Sequence, residues 1–484
     1  MNLGRFRQFH TALASGFGSF TMSLLNSWTS YTSDVYFSNT TPMSTAMTKA
    51  EEALLGSLPS LGAMLGVAIT GVLINNLGRR NGGVVLYLPM LISWVIVSLT
   101  TSIKLVLAAR FFGGISGGAS LVLAPIFASE VAEDSIRGTL ASSSMFLYCA
   151  GILVSYSMGF CLTYRTIIWI NLVISTTGII LLILVTESPI YFLRQKKEED
   201  AKLSIAKYRG APVSSILVLD ELTKLKQQMM PSMELVSMTV AVETDPKSED
   251  PEKEKLRVEE TETVKPQSLS TIKLLFLDPA SRKAFFIVTA IVSMQVFMGN
   301  VPVQVYAKSV FTQTDPSKAD LYTIIFAVVL FTGAALSAVL NDRAGRRILL
   351  ISSSVLVFVC MTTLGFLLQT KQAPPMVSVI VIFIYCFCFT SGAGTIPYVL
   401  LAEVFIPEVQ NLASMIIVEL VWLLNFLILA IFPYMNILFG IHGSFYIFGV
   451  MGITNAIFAY FLVPETKGLS NAQIQDLFMI RKRN

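Results

Sequence analysis

The chain has 484 residues, of which 54% are hydrophobic and 14% are charged, with a formal net charge of +4 at pH 7. Its mean hydropathy is +0.67. This composition excludes a soluble multidomain protein, which would need a larger share of polar residues for its surfaces. The chain is therefore predicted to lie in a lipid bilayer, and nucleic acid is not an expected partner.

Twelve apolar runs follow one another along the chain. A run of about 20 such residues can cross a bilayer as a helix. The runs are 10–29, 53–75, 83–102, 105–128, 138–161, 166–186, 284–307, 320–340, 348–369, 375–401, 412–434 and 441–463. We predict an all-α membrane protein with twelve transmembrane helices. The first run continues past the length of a signal peptide, so we expect it to stay as the first helix.

The orientation follows from the basic residues. An even number of spans places both termini on one side, and that side, with the loop 187–283, carries most of the 35 lysines and arginines. Loops rich in these residues stay in the cytoplasm, so both termini are predicted to be cytoplasmic. The loop 30–52 is then extracellular, and Asn39, followed by Thr40 and Thr41, is a predicted N-glycosylation site.

The chain contains a duplicated unit. The stretch 74–80 is echoed by the charged stretch 340–347 when Gly78 is aligned with Gly345. In both stretches Gly supplies a bend, and Arg holds the turn on one side of the membrane. Two further pairs of segments repeat in the same order, namely 130–137 with 403–410 and 186–187 with 464–465.

Between the two halves the chain is expected to leave the membrane. Residues 188–209 and 217–228 mix charge with a helical background and predict short surface helices. Acidic residues, basic residues and prolines crowd 243–265, which predicts a disordered linker rather than a docking site. The predicted organisation is an N-terminal six-helix half at 1–186, a cytoplasmic loop at 187–283, a C-terminal six-helix half at 284–466 and a cytoplasmic tail at 467–484.

The sequence lacks the motifs of common enzymes. It holds no phosphate-binding lysine motif, no metal-spaced His and Cys set, and neither HExxH nor GxSxG. The five cysteines lie in or beside apolar runs, where free thiols are expected. Formal charge is expected only at span ends, so no ion or proton relay is predicted. We therefore expect no enzymatic activity, no cofactor and no metal, but passive movement of a neutral solute.

A solute rich in hydroxyl groups needs buried amide, indole or phenol groups, because each polar atom must be paired and rings offer apolar faces. The tenth run contains Gly392, Gly394 and Pro397, and a broken helix at a repeat interface points to a binding site. Core packing remains the alternative for each aromatic residue taken alone. The predicted solute-binding residues are Gln295, Asn300, Phe389, Thr390, Tyr398, Trp422 and Asn425, and Gln304 lies in the same span as the first two.

Several motifs together resemble one known family. They are Asp342-Arg343-Ala344-Gly345-Arg346-Arg347, the set Arg110, Gly113, Gly117, Pro125, Glu130, Arg137 and Gly138, then Glu187-Ser188-Pro189, then 392–397 with Ala402-Glu403, and finally 464–468. The chain resembles the sugar porters of the major facilitator superfamily over residues 10–470, and it is similar to facilitative glucose and insect trehalose transporters. The resemblance implies twelve helices in two six-helix bundles, with alternating access to a central sugar site.

The same resemblance implies salt bridges that close the cytoplasmic face. The gate residues that it implies are Arg79, Arg80, Glu130, Arg137, Glu187, Asp342, Arg343, Arg346, Arg347, Glu403 and Glu465. The chain departs from the family pattern there, because Asn75 and Asn76 replace an Asp-Arg pair and Gln410 replaces an arginine. A weaker gate is therefore expected.

The sugar site departs from the family pattern as well. Gln295, Trp422 and Asn425 match it, whereas the residues that differ are Met145, Val296, Val301, Leu330, Thr390, Tyr398 and Val421. Each lost hydroxyl partner costs about 1–3 kcal/mol, so tight glucose binding of the usual kind is not expected.

The sequence predicts a facilitative transporter of the plasma membrane that carries a sugar or a sugar-like neutral solute by alternating access. Two alternatives remain open at this point. One is a non-transporting sensor that keeps the fold, and the other is a carrier of a less polar solute. The expected partners are this small solute and the lipid bilayer.

Overall fold

The computed structural model describes residues 3–133, 135–229, 271–467, 469 and 471–480. The described residues form helices and connecting turns, with no strand among them. The segment 243–265, for which we predicted disorder, lies outside the described residues.

The first half consists of six long helices that alternate in direction across the molecule. They are α1 Leu3–Phe37, α2 Lys49–Leu77, α3 Arg79–Leu99, α4 Ile103–Val131, α5 Arg137–Cys161 and α6 Tyr164–Ile183. A capping box starts α2, where the Thr48 side chain accepts from the amide of Glu51 and the Glu51 carboxylate accepts from the amide of Thr48. Each predicted run falls on one of these helices, although α1 extends well beyond 10–29 at both ends.

Three short helices follow the sixth span. They are α7 Pro189–Arg194, α8 Glu198–Arg209 and α9 Ile216–Met229. Ala201, Ile205 and Val218 form the centre of a small apolar core between α8 and α9. Arg209 also pairs with Glu221, which ties these two helices together.

The second half begins with α10 Thr271–Leu277 and continues through nine further helices. These are α11 Pro279–Val296, α12 Asn300–Val305, α13 Ala307–Thr314, α14 Ala319–Ala344, α15 Arg346–Thr370, α16 Pro375–Cys388, α17 Ile396–Glu403, α18 Pro407–Leu462 and α19 Asn471–Ile480. A π-helical turn at Phe389–Ala393 separates α16 from α17, which confirms the predicted break in the tenth run. The seventh run is broken as well, at Gly299, where φ is 86° and only glycine is unstrained.

The helix α18 contains two membrane spans. It has 56 residues, which at about 1.5 Å per residue is far longer than one bilayer crossing. Gly440 has φ 68° and ψ 166°, so the chain turns sharply there without a loop. The turn separates the predicted runs 412–434 and 441–463.

Ten described segments are long and apolar enough to cross a membrane. One of them holds both spans of α18. The helix α1 adds a further crossing that is less apolar, because its buried face carries many serines and threonines. The structure therefore accounts for the twelve predicted spans.

Glycines bring α2 and α4 into close contact. A Cβ atom at Gly118 of α4 would lie 2.2 Å from the carbonyl oxygen of Ala63 in α2. A Cβ atom at Gly62 of α2 would lie 2.1 Å from the carbonyl oxygen of Phe111 in α4. These distances leave no room for a side chain, so glycine on both helices sets the spacing of the first half.

The two ends of the bundle differ, and we name them here. The terminal face is the end that holds Leu3, the turns at Gly78 and Gly345, and α19. The opposite face holds the ends of α1 and α12.

Candidate functional site

The first charged loop lies on the terminal face, where α2 ends at Gly78. Arg79 pairs with Glu130 of α4 at 2.7 Å. The carboxylate of Glu187 accepts from the backbone amides of Arg79 at 2.8 Å and Arg80 at 3.0 Å. Gly78 has φ 92°, and a Cβ atom there would lie 2.3 Å from Glu187 Oε2. Glycine is therefore required at this position for two reasons, namely the positive φ of the turn and the close approach of the Glu187 carboxylate.

The second charged loop repeats this geometry where α14 ends at Gly345. Arg346 pairs with Glu403 of α17 at 2.9 Å. Glu465 accepts from the amides of Arg346 at 2.9 Å and Arg347 at 3.1 Å. Gly345 has φ 89°, and its Cβ position would lie 2.9 Å from Glu465 Oε2. The duplicated unit predicted from the sequence is confirmed in three dimensions.

Each loop also has a hydroxyl group that the sequence analysis did not select. The Ser188 hydroxyl donates to Glu130 Oε2, and the Thr466 hydroxyl donates to Glu403 Oε2 at 2.7 Å. Ser188 follows Glu187 and Thr466 follows Glu465, so the repeat itself contained the signal. Every pair named so far joins residues of the same half.

The two ion pairs differ in exposure. The side chains of Arg79 and Glu130 are 3% and 10% exposed, whereas those of Arg346 and Glu403 are 15% and 27% exposed. Burial also raises the pKa of the Glu187 carboxyl, although the amides of Ser188, Arg79 and Arg80 oppose this shift. A buried charge without its partner is costly, so the first pair is the more sensitive to mutation.

The remaining predicted gate residues have separate positions. Arg137 begins α5 and is exposed. Arg347 donates to the carbonyl oxygen of Tyr460 at 2.6 Å and lies over its ring at 5.6 Å. The side chains of Asp342 and Arg343 lie outside the described part of the chain.

The residues that depart from the family pattern have contacts of their own. Asn75 Oδ1 accepts from the guanidinium of Arg194 in α7 at 3.1 Å. Gln410 Nε2 donates to the carbonyl oxygen of Ala402 at 2.9 Å. Hydrogen bonds within each half therefore occupy the positions where the expected charges are missing.

Gln295 lies against the break in the tenth run. Its Nε2 donates at 2.8 Å to the carbonyl oxygen of Gly394, which directly follows the π-helical turn. A broken helix frees backbone groups that must find partners away from water. The Gln295 Nε2 group thus satisfies a carbonyl oxygen at the break. Its Oε1 is buried without a partner among the described residues.

Two asparagines also present buried oxygen atoms. Asn425 in α18 is 7% exposed, as is Gln295, and its Oδ1 has no partner in the described chain. Asn300 starts α12 just after Gly299, and its Oδ1 is likewise unpartnered there. A buried acceptor without a donor costs about 1–3 kcal/mol, so these three oxygens are available to a ligand that donates hydrogen bonds.

The other predicted solute residues divide into two groups. Thr390 donates to the carbonyl oxygens of Cys386 at 2.9 Å and Phe387 at 3.1 Å, so its hydroxyl serves its own helix. Phe389 is buried against Tyr385, with ring centroids 6.1 Å apart. Core packing therefore accounts for Phe389.

Tyr398 and Trp422 retain accessible surface. Tyr398 in α17 is 42% exposed although it lies within a span, and Trp422 in α18 is half-buried. Their rings offer apolar faces to the space between the helices or to lipid.

Two tyrosines of the first half, which the sequence analysis did not select, bind a glutamine of the second half. Gln304 Nε2 donates to the Tyr148 hydroxyl at 3.2 Å, and the Tyr156 hydroxyl donates to the Gln304 carbonyl oxygen. Nearer the opposite face, the amide of Lys308 donates to the Ser30 hydroxyl at 2.8 Å. These contacts join the two halves between mid-depth and the opposite face.

An arginine lies inside the bundle, which corrects our expectation that formal charge falls only at span ends. Arg110 in α4 is fully buried and donates to the carbonyl oxygen of Leu55 at 3.0 Å and to Thr29 Oγ1 at 2.6 Å. Its guanidinium also lies 5.6 Å from the ring of Trp28. Carbonyl groups and one ring stabilise this cation, and no carboxylate pairs with it among the described residues.

A carboxylic acid also lies within a span. Glu419 is one helical turn before Trp422 in α18, and its Oε1 is buried without a partner in the described part of the chain. The expectation failed for Glu419 and Arg110 because each is the single charged residue of a long apolar run, and such a run is recognised by its average hydropathy.

Comparison with known proteins is consistent with this arrangement. A sequence model of the family described as "Sugar (and other) transporter" matches residues 7–478. The Facilitated trehalose transporter Tret1 of Polypedilum vanderplanki is 26% identical, over 99% of this chain and 89% of its own. The Facilitated trehalose transporter Tret1-2 homolog of Drosophila sechellia is also 26% identical, over 98% and 92%.

Solved structures share the fold. The inward-open structure of the xylose transporter XylE from E. coli has a TM-score of 0.76 at 22% sequence identity. The similarity covers 97% of this chain and 99% of that chain. The twelve-helix fold of the major facilitator type, which the sequence predicted, is thereby confirmed.

Proposed function

We propose, from the fact that this chain belongs to the sugar (and other) transporter family, that it carries a sugar or a sugar-like neutral solute across the membrane by facilitated diffusion. The curated relatives named above are facilitated trehalose transporters, and the structural relative is a xylose transporter. A small sugar is therefore the solute class that the comparisons support.

The observation that carries the proposal is the set of unpartnered oxygens on Gln295, Asn300 and Asn425. Gln295 and Asn300 lie at the breaks of the tenth and seventh runs, and Asn425 is a buried residue of α18. Hydroxyl groups of a sugar donate hydrogen bonds and would satisfy these acceptors. Trp422 and Tyr398 add aromatic faces of the kind that pack against sugar rings.

The way in which the two halves are joined supports alternating access. The hydrogen bonds of Gln304 with Tyr148 and Tyr156, and of Lys308 with Ser30, close the path between mid-depth and the opposite face. Tyr398, near the terminal face, keeps 42% of its surface exposed. We infer that this is a conformation open towards the terminal face, and that these bonds break when the protein opens the other way.

The same proposal places the terminal face in the cytoplasm of a cell with this protein in its plasma membrane. The basic residues of the turns and of the loop 187–283 support that orientation. Asn39 lies in an exposed turn after α1, on the opposite face, where an extracellular glycan could be attached. The charged loops at Gly78 and Gly345 would then form the cytoplasmic gate region.

Uptake by the purified protein in liposomes tests the function. The panel should contain labelled trehalose, glucose and xylose, together with a less polar neutral solute, and protein-free liposomes serve as the control. We expect saturable uptake of at least one sugar that stops when inside and outside concentrations are equal. Sugar binding without uptake would instead identify a sensor, and uptake of the less polar solute alone would overturn the sugar assignment.

A further inference from the structure

A cleft of about 460 Å³ lies on the terminal face between the end of α6 and α8. Four charged residues line it, namely Arg80 at the start of α3, Glu187 after α6, and Asp200 and Lys207 on α8. Its apolar lining includes Ile183, Leu184 and Leu203. This cleft is separate from the residues assigned above to the solute.

The charged groups of the cleft are available to a ligand. Within the ranges that the structure describes, the side chains of Arg80, Asp200 and Lys207 form no ion pair or hydrogen bond. Glu187 also borders the cleft, but its carboxylate is bound by backbone amides, including those of Arg80 and Ser188. The charges open to a ligand are therefore two cations and one carboxylate, and with Glu187 the four charges of the cleft sum to zero.

The apolar groups of the cleft mark its position relative to the bilayer. Leu184 and Ile183 are exposed at the last turn of α6, which is a membrane-spanning helix. Leu203 is exposed on α8, which follows outside the span. Apolar side chains that stay exposed beside charged ones indicate a site for an amphiphilic partner at the boundary between hydrocarbon and headgroups.

We propose that this cleft binds phosphatidylserine from the leaflet at the terminal face. The headgroup carries a phosphate and a carboxylate, which match the two open cations of the cleft, and an ammonium group, which matches its open carboxylate. Arg80 and Lys207 bind the two anionic groups, and Asp200 binds the ammonium group. The acyl chains lie along Leu184 and Leu203.

The choice of this lipid rests on the proposed orientation, because the cytoplasmic leaflet is the one that carries phosphatidylserine. Binding would link α8 to the end of α6 and to Arg80, which directly follows the buried Arg79. The lipid would therefore hold the short helices against the first half of the membrane domain.

Thermal unfolding of the purified full-length protein in detergent, titrated with one lipid at a time, measures this binding. We expect phosphatidylserine to stabilise more than phosphatidylglycerol, and phosphatidylcholine to have the least effect. Lys207→Gln should weaken binding of both anionic lipids about fivefold, the value of one lysine at a membrane surface. Lys224→Gln, at an exposed lysine of α9 outside the cleft, is the matched control and should bind as the original chain does.

A second variant tests the recognition of the ammonium group. Asp200→Asn should remove the preference for phosphatidylserine over phosphatidylglycerol while leaving phosphatidylglycerol binding unchanged or stronger. If Asp200 had only a structural role, Asp200→Asn would weaken the binding of both lipids. The proposal is overturned if Lys207→Gln matches Lys224→Gln, if Asp200→Asn keeps the preference, or if soluble glycerophosphoserine stabilises as well as the lipid, which would identify a soluble ligand.

Discussion

Replacement of Gln295 and of Asn425 by leucine should have different consequences, although both side chains are equally buried. In Gln295→Leu the carbonyl oxygen of Gly394 loses its donor at 2.8 Å, and the solute loses an acceptor. In Asn425→Leu the amide that is removed forms no side-chain hydrogen bond within the described chain, and its oxygen is buried without a partner. Gln295→Leu is therefore expected to lower both the stability of the fold and the affinity for the solute, whereas Asn425→Leu is expected to lower only the affinity.

The magnitudes follow from the cost of an unpaired buried group. A Gly394 carbonyl oxygen without a donor lowers the free energy of unfolding by about 1–3 kcal/mol. The loss of a solute contact of the same size weakens binding about 5- to 150-fold. Asn425→Leu should leave the unfolding temperature equal to or above that of the original protein, because no internal hydrogen bond is lost.

The assay combines thermal unfolding without solute and equilibrium binding of the sugar that the liposome panel identifies. Thr390→Val is the matched control, because the Thr390 hydroxyl already bonds to carbonyl oxygens of its own helix. It should keep the affinity of the original chain. Normal affinity in both leucine variants would place the solute site elsewhere, and an equal loss of stability in both would refute the role of Gln295 at the break.

Three further outcomes are expected. Under an imposed proton gradient the solute concentration inside the liposomes should not exceed the concentration outside, because the first span has no acidic residue within 10–29. Accumulation of the solute inside would show that transport is coupled to protons. Glu419→Gln would then test whether Glu419 carries the proton. Glu130→Ala should lower the free energy of unfolding by about 3–5 kcal/mol, because Arg79 is then buried and unpaired. Glu403→Ala should lower it less, because the pair of Arg346 and Glu403 is more exposed. A larger loss of stability in Glu403→Ala, measured by calorimetry or thermal unfolding, would contradict this order. Gly118→Ala should disrupt the α2–α4 contact and reduce the yield of folded protein, whereas Gly71→Ala on α2, with open space at its Cβ, should not; equal yields from size-exclusion chromatography would remove the steric explanation.

The features that the sequence predicted are those carried by local composition. Apolar runs located the spans, because the length of a span is a property of consecutive residues. The loops at Gly78 and Gly345 could be matched, because the same residue order recurs in both. The break in the tenth run was visible from Gly392, Gly394 and Pro397.

The features that were missed depend on contacts between distant segments. No run of residues shows that Gln304 meets Tyr148 and Tyr156, since these belong to opposite halves. The break at Gly299 was missed, because one glycine within a long apolar run does not by itself show where a helix ends. Gln295 was selected as a polar mid-span residue, but the partner of its amide became visible only in the folded chain.

The turn at Gly440 joins the last two spans without a connecting loop. In α18 the chain changes direction at this one residue, so no loop separates the span of Asn425 from the span that ends at Leu462. Three residues later Glu465 holds the amides of Arg346 and Arg347. We infer that a tilt of the span of Asn425 on solute binding is passed through this short connection to the second charged loop on the terminal face.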